Sequence, residues 1–186
     1  MATMKDVLRL GIVDNDELTI GALTSYLHTH EPAIRIAWTA IKGHKAVELC
    51  LEGRSRPDVL LADMSLSDME GTEVVRRIRS QTPLMPILAI TSFPMEMYAR
   101  SVSHAGAQGI IAKRDLKSVV RAIHAVHEGK VWDETDLGYA FHTCSQAYAL
   151  LNDASDDQAR DAVSLTARET QIVQLYAQGR TSAYVA

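Results

Sequence analysis

The stretch Val59-Leu60-Leu61-Ala62-Asp63-Met64-Ser65 decides the fold that the sequence predicts. Its first four residues are apolar without a break, which is typical of a strand buried on both faces of a parallel sheet. Four similar short runs lie before and after it, namely Val7–Val13, Ala33–Trp38, Ile87–Ile90 and Gly109–Ala112. Turn-forming Gly and Pro residues and stretches with helical spacing separate the runs. Five strands alternating with five helices predict a doubly wound α/β domain with a five-stranded parallel sheet.

The composition of the 186 residues is that of a globular protein, with 47% hydrophobic and 23% charged residues. No apolar run approaches the roughly 18–20 residues that a membrane span needs, and the first ten residues, MATMKDVLRL, contain no apolar signal core. Cys50 and Cys144 lie far apart without metal-ligand spacing, as expected of reduced thiols. We therefore expect a cytoplasmic protein with no membrane partner.

The pattern changes after Gly129, so residues 1–129 are predicted to form the first domain. Residues 130–163 are predicted to be a helical and acidic linker, in which Asn152–Asp161 is the most polar part. Its apolar residues would lie on one further helix; they are Tyr139, Phe141, Tyr148, Leu150 and Leu151. Residues 164–186 begin a new helix, because Thr166 and Glu169 form a capping box.

Residues 130–186 contain four basic and eight acidic side chains, which gives this part a net charge of −4. The whole chain also carries −4, so residues 1–129 are neutral. The carboxyl-terminal part as it stands is therefore a poor electrostatic match for nucleic acid.

Polar side chains follow four of the predicted strands at the point where each strand ends. In a parallel sheet these ends meet at one edge, which is where ligands bind in such folds. A cluster of carboxylates beside a lysine and a hydroxyl indicates a Mg²⁺-assisted phosphoryl site, because the metal takes hard oxygen ligands and offsets phosphate charge. The candidate residues are Asp14, Asn15, Asp63, Ser65, Thr91 and Lys113.

Over about residues 5–129 the sequence resembles the receiver domains of bacterial two-component response regulators, which have a flavodoxin-like fold. Asp14 matches the first residue of an acidic pair and Asp63 matches the phosphoacceptor, with Gly71 eight positions later. Thr91 matches the switch hydroxyl, and Gly106-Ala107-Gln108-Gly109 precedes the matching Lys113. Each match is weak alone, but together they occur in the family's order, each at the end of its own predicted strand.

The resemblance implies a role for each residue. Asp63 would be the nucleophile that forms an acyl phosphate, and Lys113 would pair first with Asp63 and then with the phosphoryl group. Mg²⁺ would be held by the side chains of Asp14, Asn15 and Asp63 and by the backbone carbonyl of Ser65. Thr91 would turn its hydroxyl toward the phosphoryl group and move its loop, which is the switch.

Four positions depart from the usual receiver pattern. Asn15 replaces the second acidic residue, so the metal site loses one negative charge and is expected to bind Mg²⁺ more weakly. Asp16 is adjacent, but we expect its side chain to point elsewhere. Ser67 stands where proline is common. Ile110 and Arg114, in place of an aromatic residue and a cis-proline, are typical of receivers of the NarL/LuxR type.

The carboxyl-terminal residues 164–186 resemble the start of a LuxR-type helix-turn-helix domain. In that domain the helix that reads DNA comes after the point where this sequence ends. We therefore expect a truncated domain that does not bind DNA specifically, whereas the full-length output domain would.

The sequence thus predicts a response regulator that a sensor histidine kinase phosphorylates on Asp63 to control a DNA-binding transcriptional output. Homodimerisation is expected on the face of the fourth helix, fifth strand and fifth helix, which includes Tyr98, Arg100, Lys117 and Arg121. The alternative is a pseudo-receiver in which Asn15 has disabled the Mg²⁺ site. Enzymatic alternatives are poor, because an aspartate-nucleophile phosphatase needs an acid where Ser65 stands, and a flavodoxin needs a phosphate loop where this chain has acids.

Overall fold

The computed structural model describes residues 7–133 and 138–163, and residues 154–163 only as helix backbone. Five strands form one parallel sheet in the order β2-β1-β3-β4-β5. The strands are β1 Leu8–Val13, β2 Ile34–Ala40, β3 Val59–Asp63, β4 Ile87–Thr91 and β5 Gly109–Ala112. The helices are α1 Glu17–His30, α2 Gly43–Leu51, α3 Gly71–Arg79, α4 Ala99–Ala105, α5 Leu116–His127 and α6 Cys144–Val163, with a short 3-10 turn at Met95–Met97 before α4.

The central strands β3 and β4 are buried along their whole length because helices cover both faces of the sheet. Leu60 and Ala62 of β3 belong to a core shared with α2, α3 and α4. Val59 and Leu61, which point the other way, belong to a second core shared with α1 and α5. The predicted doubly wound, five-stranded parallel fold is confirmed.

The strand order reverses between β1 and β3, which lie side by side although β2 separates them in sequence. The connections that leave these two strands run to opposite faces of the sheet. The carboxyl ends of β1 and β3 therefore border a crevice of the kind in which doubly wound folds bind ligands.

The compact unit does not end at residue 129, where the sequence analysis placed the domain boundary, but runs to Leu151. Trp132 forms a bridge with Gly109 of β5, and its backbone N–H donates to the carbonyl of Gln108 (2.8 Å). Phe141 is buried in the core beside α3 and α4. These contacts make the segment after α5 part of the receiver-like unit.

One expectation about residues 130–163 needs correction. Tyr139 and Phe141 precede the sixth helix, because α6 begins at Cys144, where Gln146 accepts hydrogen bonds from the backbone and hydroxyl of Thr143 (both 3.1 Å). The acidic stretch Asn152–Asp161 is helical and continues α6. Tyr148, Leu150 and Leu151 do lie on this helix. The capping box predicted in residues 164–186 lies outside the described residues.

In the two described ranges, no helix combines the length and the apolar character that crossing a bilayer requires.

Candidate functional site

Asp14, Asp63 and Lys113 lie together at the carboxyl edge of the sheet. Asp63 ends β3 and is 2% exposed, and Asp14 follows β1 and is fully buried. The ammonium of Lys113, just after β5, lies 2.6 Å from Oδ2 of Asp14 and 3.0 Å from Oδ1 of Asp63. The structure thus brings three of the predicted site residues into one ion-paired cluster, in which two carboxylates share one cation.

The cluster is electrostatically unbalanced, since two buried carboxylates face a single ammonium. Burial raises the pKa of the Asp63 carboxyl above its ordinary range, and the charge of Asp14 adds to this, although Lys113 opposes both effects. The backbone N–H of Ser65 also favours the ionised form of Asp63. Asp63 is therefore a carboxylate that gains from a second cation or from losing its charge.

The tight turn after Asp63 depends on Gly71, the first residue of α3. A Cβ at this position would collide with the backbone carbonyl of Asp63 and would lie 2.6 Å from the Cα of Met64. The N–H of Gly71 donates to the carbonyl of Met64 (3.1 Å), which closes the β3–α3 loop, residues 64–70. Glycine is needed here because two backbone segments pass too close for a side chain.

The two residues after Asp14 have different environments. Asn15 is exposed at the rim of the cluster. Asp16 caps α1, because its carboxylate accepts from the hydroxyl of Thr19 (2.7 Å) and the N–H of Leu18 (3.0 Å). These bonds, that of Thr19 first, lower the pKa of Asp16. Asp16 is thus committed to the helix cap, and its N–H holds Oδ1 of Asp14 (3.0 Å).

Thr91 and Ser65 lie at the same edge of the sheet, at the end of β4 and just after β3. Thr91 is the last residue of β4 and is fully buried, and its hydroxyl accepts from the N–H of Phe93 (3.0 Å). The carbonyl of Thr91 accepts from the N–H of Lys113 (2.9 Å), so β4 and the lysine are held together. Ser65 is partly buried, with its Oγ 3.3 Å from the hydroxyl of Tyr98.

Residues 10–124 match the family model of the response regulator receiver domain. The chain belongs to this family. It is 33% identical over 113 residues to a protein-glutamate methylesterase/protein-glutamine glutaminase of Mesorhizobium japonicum. That match covers 60% of this chain but 32% of the methylesterase, so the chain spans about a third of the length of that relative. The likeness is confined to the receiver region, and the catalytic activity does not follow from it.

Two other similarities cover more of the chain than the receiver match does. The chain is 27% identical over 177 residues to the transcriptional regulatory protein LiaR of Bacillus subtilis, covering 95% of this chain and 79% of LiaR. A LuxR-family two-component response regulator from Aurantimonas sp. SI85-9A1 has a similar structure, with a TM-score of 0.63 and 24% identity. The superposition covers 79% of this chain and 99% of that one, and it supports the receiver fold.

The oxygen atoms at the carboxyl edge of the sheet are suited to binding a hard cation. The carboxylates of Asp14 and Asp63 and the amide of Asn15 are ligands that Mg²⁺ accepts, whereas soft metals prefer sulfur and imidazole. Among the described side chains, those of residues 7–133 and 138–153, no group of three or more His, Cys, Asp or Glu is arranged to hold a metal. A Mg²⁺ ion here would therefore rely on two carboxylates and on neutral oxygens.

The sequence analysis missed two contacts of this receiver site. The carboxylate of Asp68, in the β3–α3 loop, binds the first turn of α2, which lies 24 and 25 positions away in sequence. Tyr98 was expected on the dimer face, and the structure shows in addition that its hydroxyl lies 3.3 Å from Oγ of Ser65. Neither contact leaves a local pattern, so only the missing side-chain cap on α2 could have drawn attention to Asp68.

Replacing Asp63 with Asn is expected to stabilise the metal-free receiver domain by about 1 kcal/mol at pH 7. Because the folded state raises the pKa of Asp63, the ionised side chain costs stability once the pH rises through that pKa. The advantage of Asp63→Asn should vanish as the pH falls below about 4, where an ordinary aspartate is protonated in the unfolded chain.

Urea unfolding in EDTA between pH 4 and pH 8 measures this difference. Asp58→Asn is the matched control, because Asp58 precedes the amino end of β3 and accepts from the N–H of Arg9 (2.7 Å). An Asp63→Asn variant that is less stable than the unmodified protein across this range contradicts the electrostatic interpretation.

Proposed function

We propose that this chain is the receiver part of a transcriptional response regulator and that a sensor histidine kinase phosphorylates it on Asp63. The observation that carries the proposal is the buried cluster of Asp14, Asp63 and Lys113 at the switch point of the sheet. A buried aspartate with a raised pKa, beside a lysine that can follow the charge, is suited to accept a phosphoryl group.

In the reaction, a carboxylate oxygen of Asp63 attacks the phosphorus of a phosphohistidine. The new O–P bond forms as the P–N bond breaks, and the electron pair leaves with the imidazole, which takes up a proton. Lys113 leaves Asp63 and donates to a phosphoryl oxygen. Asp14, Asn15, Asp63 and the carbonyl of Ser65 would hold Mg²⁺, which when bound offsets the charge of the phosphoryl group.

The switch would begin at Thr91. Its hydroxyl can donate to a phosphoryl oxygen while it still accepts from the N–H of Phe93, so a shift of Thr91 moves the turn that follows. Phe93 and Met97 are exposed apolar residues of this segment, at 51% and 66%. A small movement at the site therefore changes the apolar surface beside α4, on which a partner or a second copy would bind.

The output is proposed to be transcriptional. The similarity to LiaR covers nearly the whole chain rather than the receiver alone, and LiaR is a transcriptional regulatory protein. Homodimerisation on the α4-β5-α5 face would then pair two output domains, as recognition of two DNA half-sites requires.

Phosphorylation by a small-molecule donor such as acetyl phosphate tests the proposal. Intact mass and phosphate-affinity electrophoresis should show one phosphoryl group in the unmodified protein and none in Asp63→Asn. Asp58→Asn, at the opposite edge of the sheet, should be labelled normally. Labelling that persists in Asp63→Asn would place the acceptor elsewhere.

Replacing Asn15 with Asp is expected to tighten Mg²⁺ binding by about tenfold, because it restores one ligand charge. Amide NMR shifts and the fluorescence of Trp38 and Trp132 can follow the titration. Asn152→Asp, which adds the same charge on α6, should leave the affinity unchanged. An Asn15→Asp affinity equal to that of the unmodified protein would mean that residue 15 does not contact the metal.

The second candidate function is that of a pseudo-receiver, and the observation that favours it is Asn15, which is exposed and uncharged at the metal site. The same Mg²⁺ titration distinguishes it from a working receiver. Saturable Mg²⁺ and beryllofluoride binding by the unmodified chain supports phosphorylation control. Binding that appears only after Asn15→Asp supports regulation through partner contacts.

A further inference from the structure

The β3–α3 loop, which carries Ser65, is fastened to α2 by the side chain of Asp68. Oδ1 of Asp68 accepts from the N–H of Gly43 (2.8 Å), and Oδ2 accepts from the N–H of His44 (3.1 Å). Nδ1 of His44 lies 2.8 Å from the same Oδ2. The residue at the start of α2, Lys42, makes no side-chain cap of its own. Asp68 therefore caps a helix to which it does not belong.

The electrostatics show how firmly this carboxylate is bound. Burial alone would raise the pKa of Asp68, but the amides of Gly43 and His44 and the imidazole of His44 outweigh it. The pKa consequently lies well below the ordinary range of an aspartate. Asp68 is thus an ionised acceptor at neutral pH, with 17% of its side chain exposed.

Further contacts hold the same loop against α2. The ammonium of Lys42 donates to the hydroxyl of Ser67 (2.9 Å). At Gly43, an added Cβ would lie 2.7 Å from Cγ of Met69 and 2.7 Å from Cγ2 of Val74, so these two side chains pack directly on the backbone at the start of α2. We call the contacts of Asp68 and Ser67 with residues 42–44 the α2 clamp.

The position of the clamp gives it a role at the site. The loop has fixed ends, since Asp63 belongs to β3 and the N–H of Gly71 donates to the carbonyl of Met64. The clamp fixes the middle of the loop at Asp68, which lies three positions after Ser65. Ser67 stands where receivers commonly carry proline, so no proline ring restrains this backbone. Hydrogen bonds to α2 supply the restraint instead.

We propose that Asp68 is a positioning residue for the phosphoacceptor site, acting through the α2 clamp to hold Ser65 where its carbonyl can serve as an oxygen ligand. The inference rests on the proposed function and names a residue that supports it. Residues that orient metal ligands without touching the metal typically change affinity by 10–100-fold. Because only one neutral ligand is involved, we expect a loss near the lower end, about tenfold.

The test is a Mg²⁺ titration of Asp68→Ala, in which amide NMR shifts measure the binding. Mg²⁺ should bind about tenfold more weakly than to the unmodified protein. Asp68→Asn should recover part of the loss, because its amide oxygen can still accept from the N–H of Gly43. Spectra recorded without metal establish that each variant is folded.

Glu70→Ala is the matched control for charge, because it removes one carboxylate from the same loop and its hydrogen bond goes to Thr72 of α3 (3.3 Å). It should weaken Mg²⁺ binding less than Asp68→Ala does. In 0.5 M salt, where exposed charges are screened, the Glu70→Ala effect should disappear and the Asp68→Ala effect should remain. Equal effects of the two variants at both salt concentrations overturn the proposal.

The same series in the Asn15→Asp background separates the two proposals. If Mg²⁺ binds in either background and Asp68→Ala changes its affinity by less than twofold there, the positioning role alone is overturned. If neither the unmodified chain nor Asn15→Asp binds Mg²⁺, the positioning role and the metal-assisted function are both overturned.

Discussion

Replacing Lys113 with Met is expected to destabilise the metal-free protein by about 3 kcal/mol at pH 7. The ammonium lies within 3.0 Å of both Asp14 and Asp63, and these carboxylates are almost completely buried. Methionine keeps much of the volume of lysine and removes its charge. Two unpaired buried carboxylates then remain, and breaking a buried ion pair by removing one partner costs far more than the pair itself contributes.

The pH dependence identifies the cause of this loss. Without Lys113 the pKa of Asp63 rises further, because only the backbone N–H of Ser65 then opposes burial and the charge of Asp14. A carboxyl with a raised folded-state pKa costs stability above that pKa, and the cost is absent below the unfolded value near 4. The difference between Lys113→Met and the unmodified protein should therefore shrink as the pH falls from 7 to 4.

Urea unfolding at several pH values checks this expectation, with Lys117→Met, an exposed lysine on α5, as the control. Millimolar Mg²⁺ should restore more stability to Lys113→Met than to the unmodified protein, since a cation then replaces the lost charge. Equal stability of Lys113→Met and Lys117→Met at pH 7 would show that the carboxylates do not depend on the lysine.

The sheet and the residues at its edge were accessible from the sequence because their signals are local. A parallel strand covered on both faces is apolar throughout, so Val59–Ala62 predicts a strand that the structure extends only to Asp63. The parallel direction of the strands then predicts the site, because side chains that follow parallel strands meet at one edge of the sheet. Asp14 and Lys113 are 99 residues apart in sequence. Nζ of Lys113 nevertheless lies within 3.0 Å of a carboxylate oxygen of both Asp14 and Asp63.

The features that the sequence did not predict depend on contacts between distant residues. The α2 clamp joins positions 24 and 25 residues apart, and no helical or strand periodicity records it. The start of α6 at Cys144, after Tyr139 and Phe141, was not predicted either. One local signal was present and overlooked, since Thr143 and Gln146 have the spacing of a capping box and mark the start of that helix.

The segment between α5 and α6 provides the second large effect that we expect. Phe141→Ala should destabilise the protein by about 3 kcal/mol, as for other large aromatic residues removed from a core. Phe141 is 7% exposed and packs in the core that includes α3 and α4. The backbone on either side is held as well, since the hydroxyl of Ser103 donates to the carbonyl of Ala140 (2.7 Å) and Nε2 of Gln108 donates to that of His142 (3.2 Å).

Tyr139→Ala is the matched control, because Tyr139 lies two residues earlier in the same segment and is 36% exposed. It should change the free energy of unfolding by no more than about 0.5 kcal/mol. The comparison decides where the folded unit ends. A boundary at residue 129 makes Phe141 dispensable, so both variants would then unfold like the unmodified protein, whereas a unit that runs to Leu151 loses a core residue.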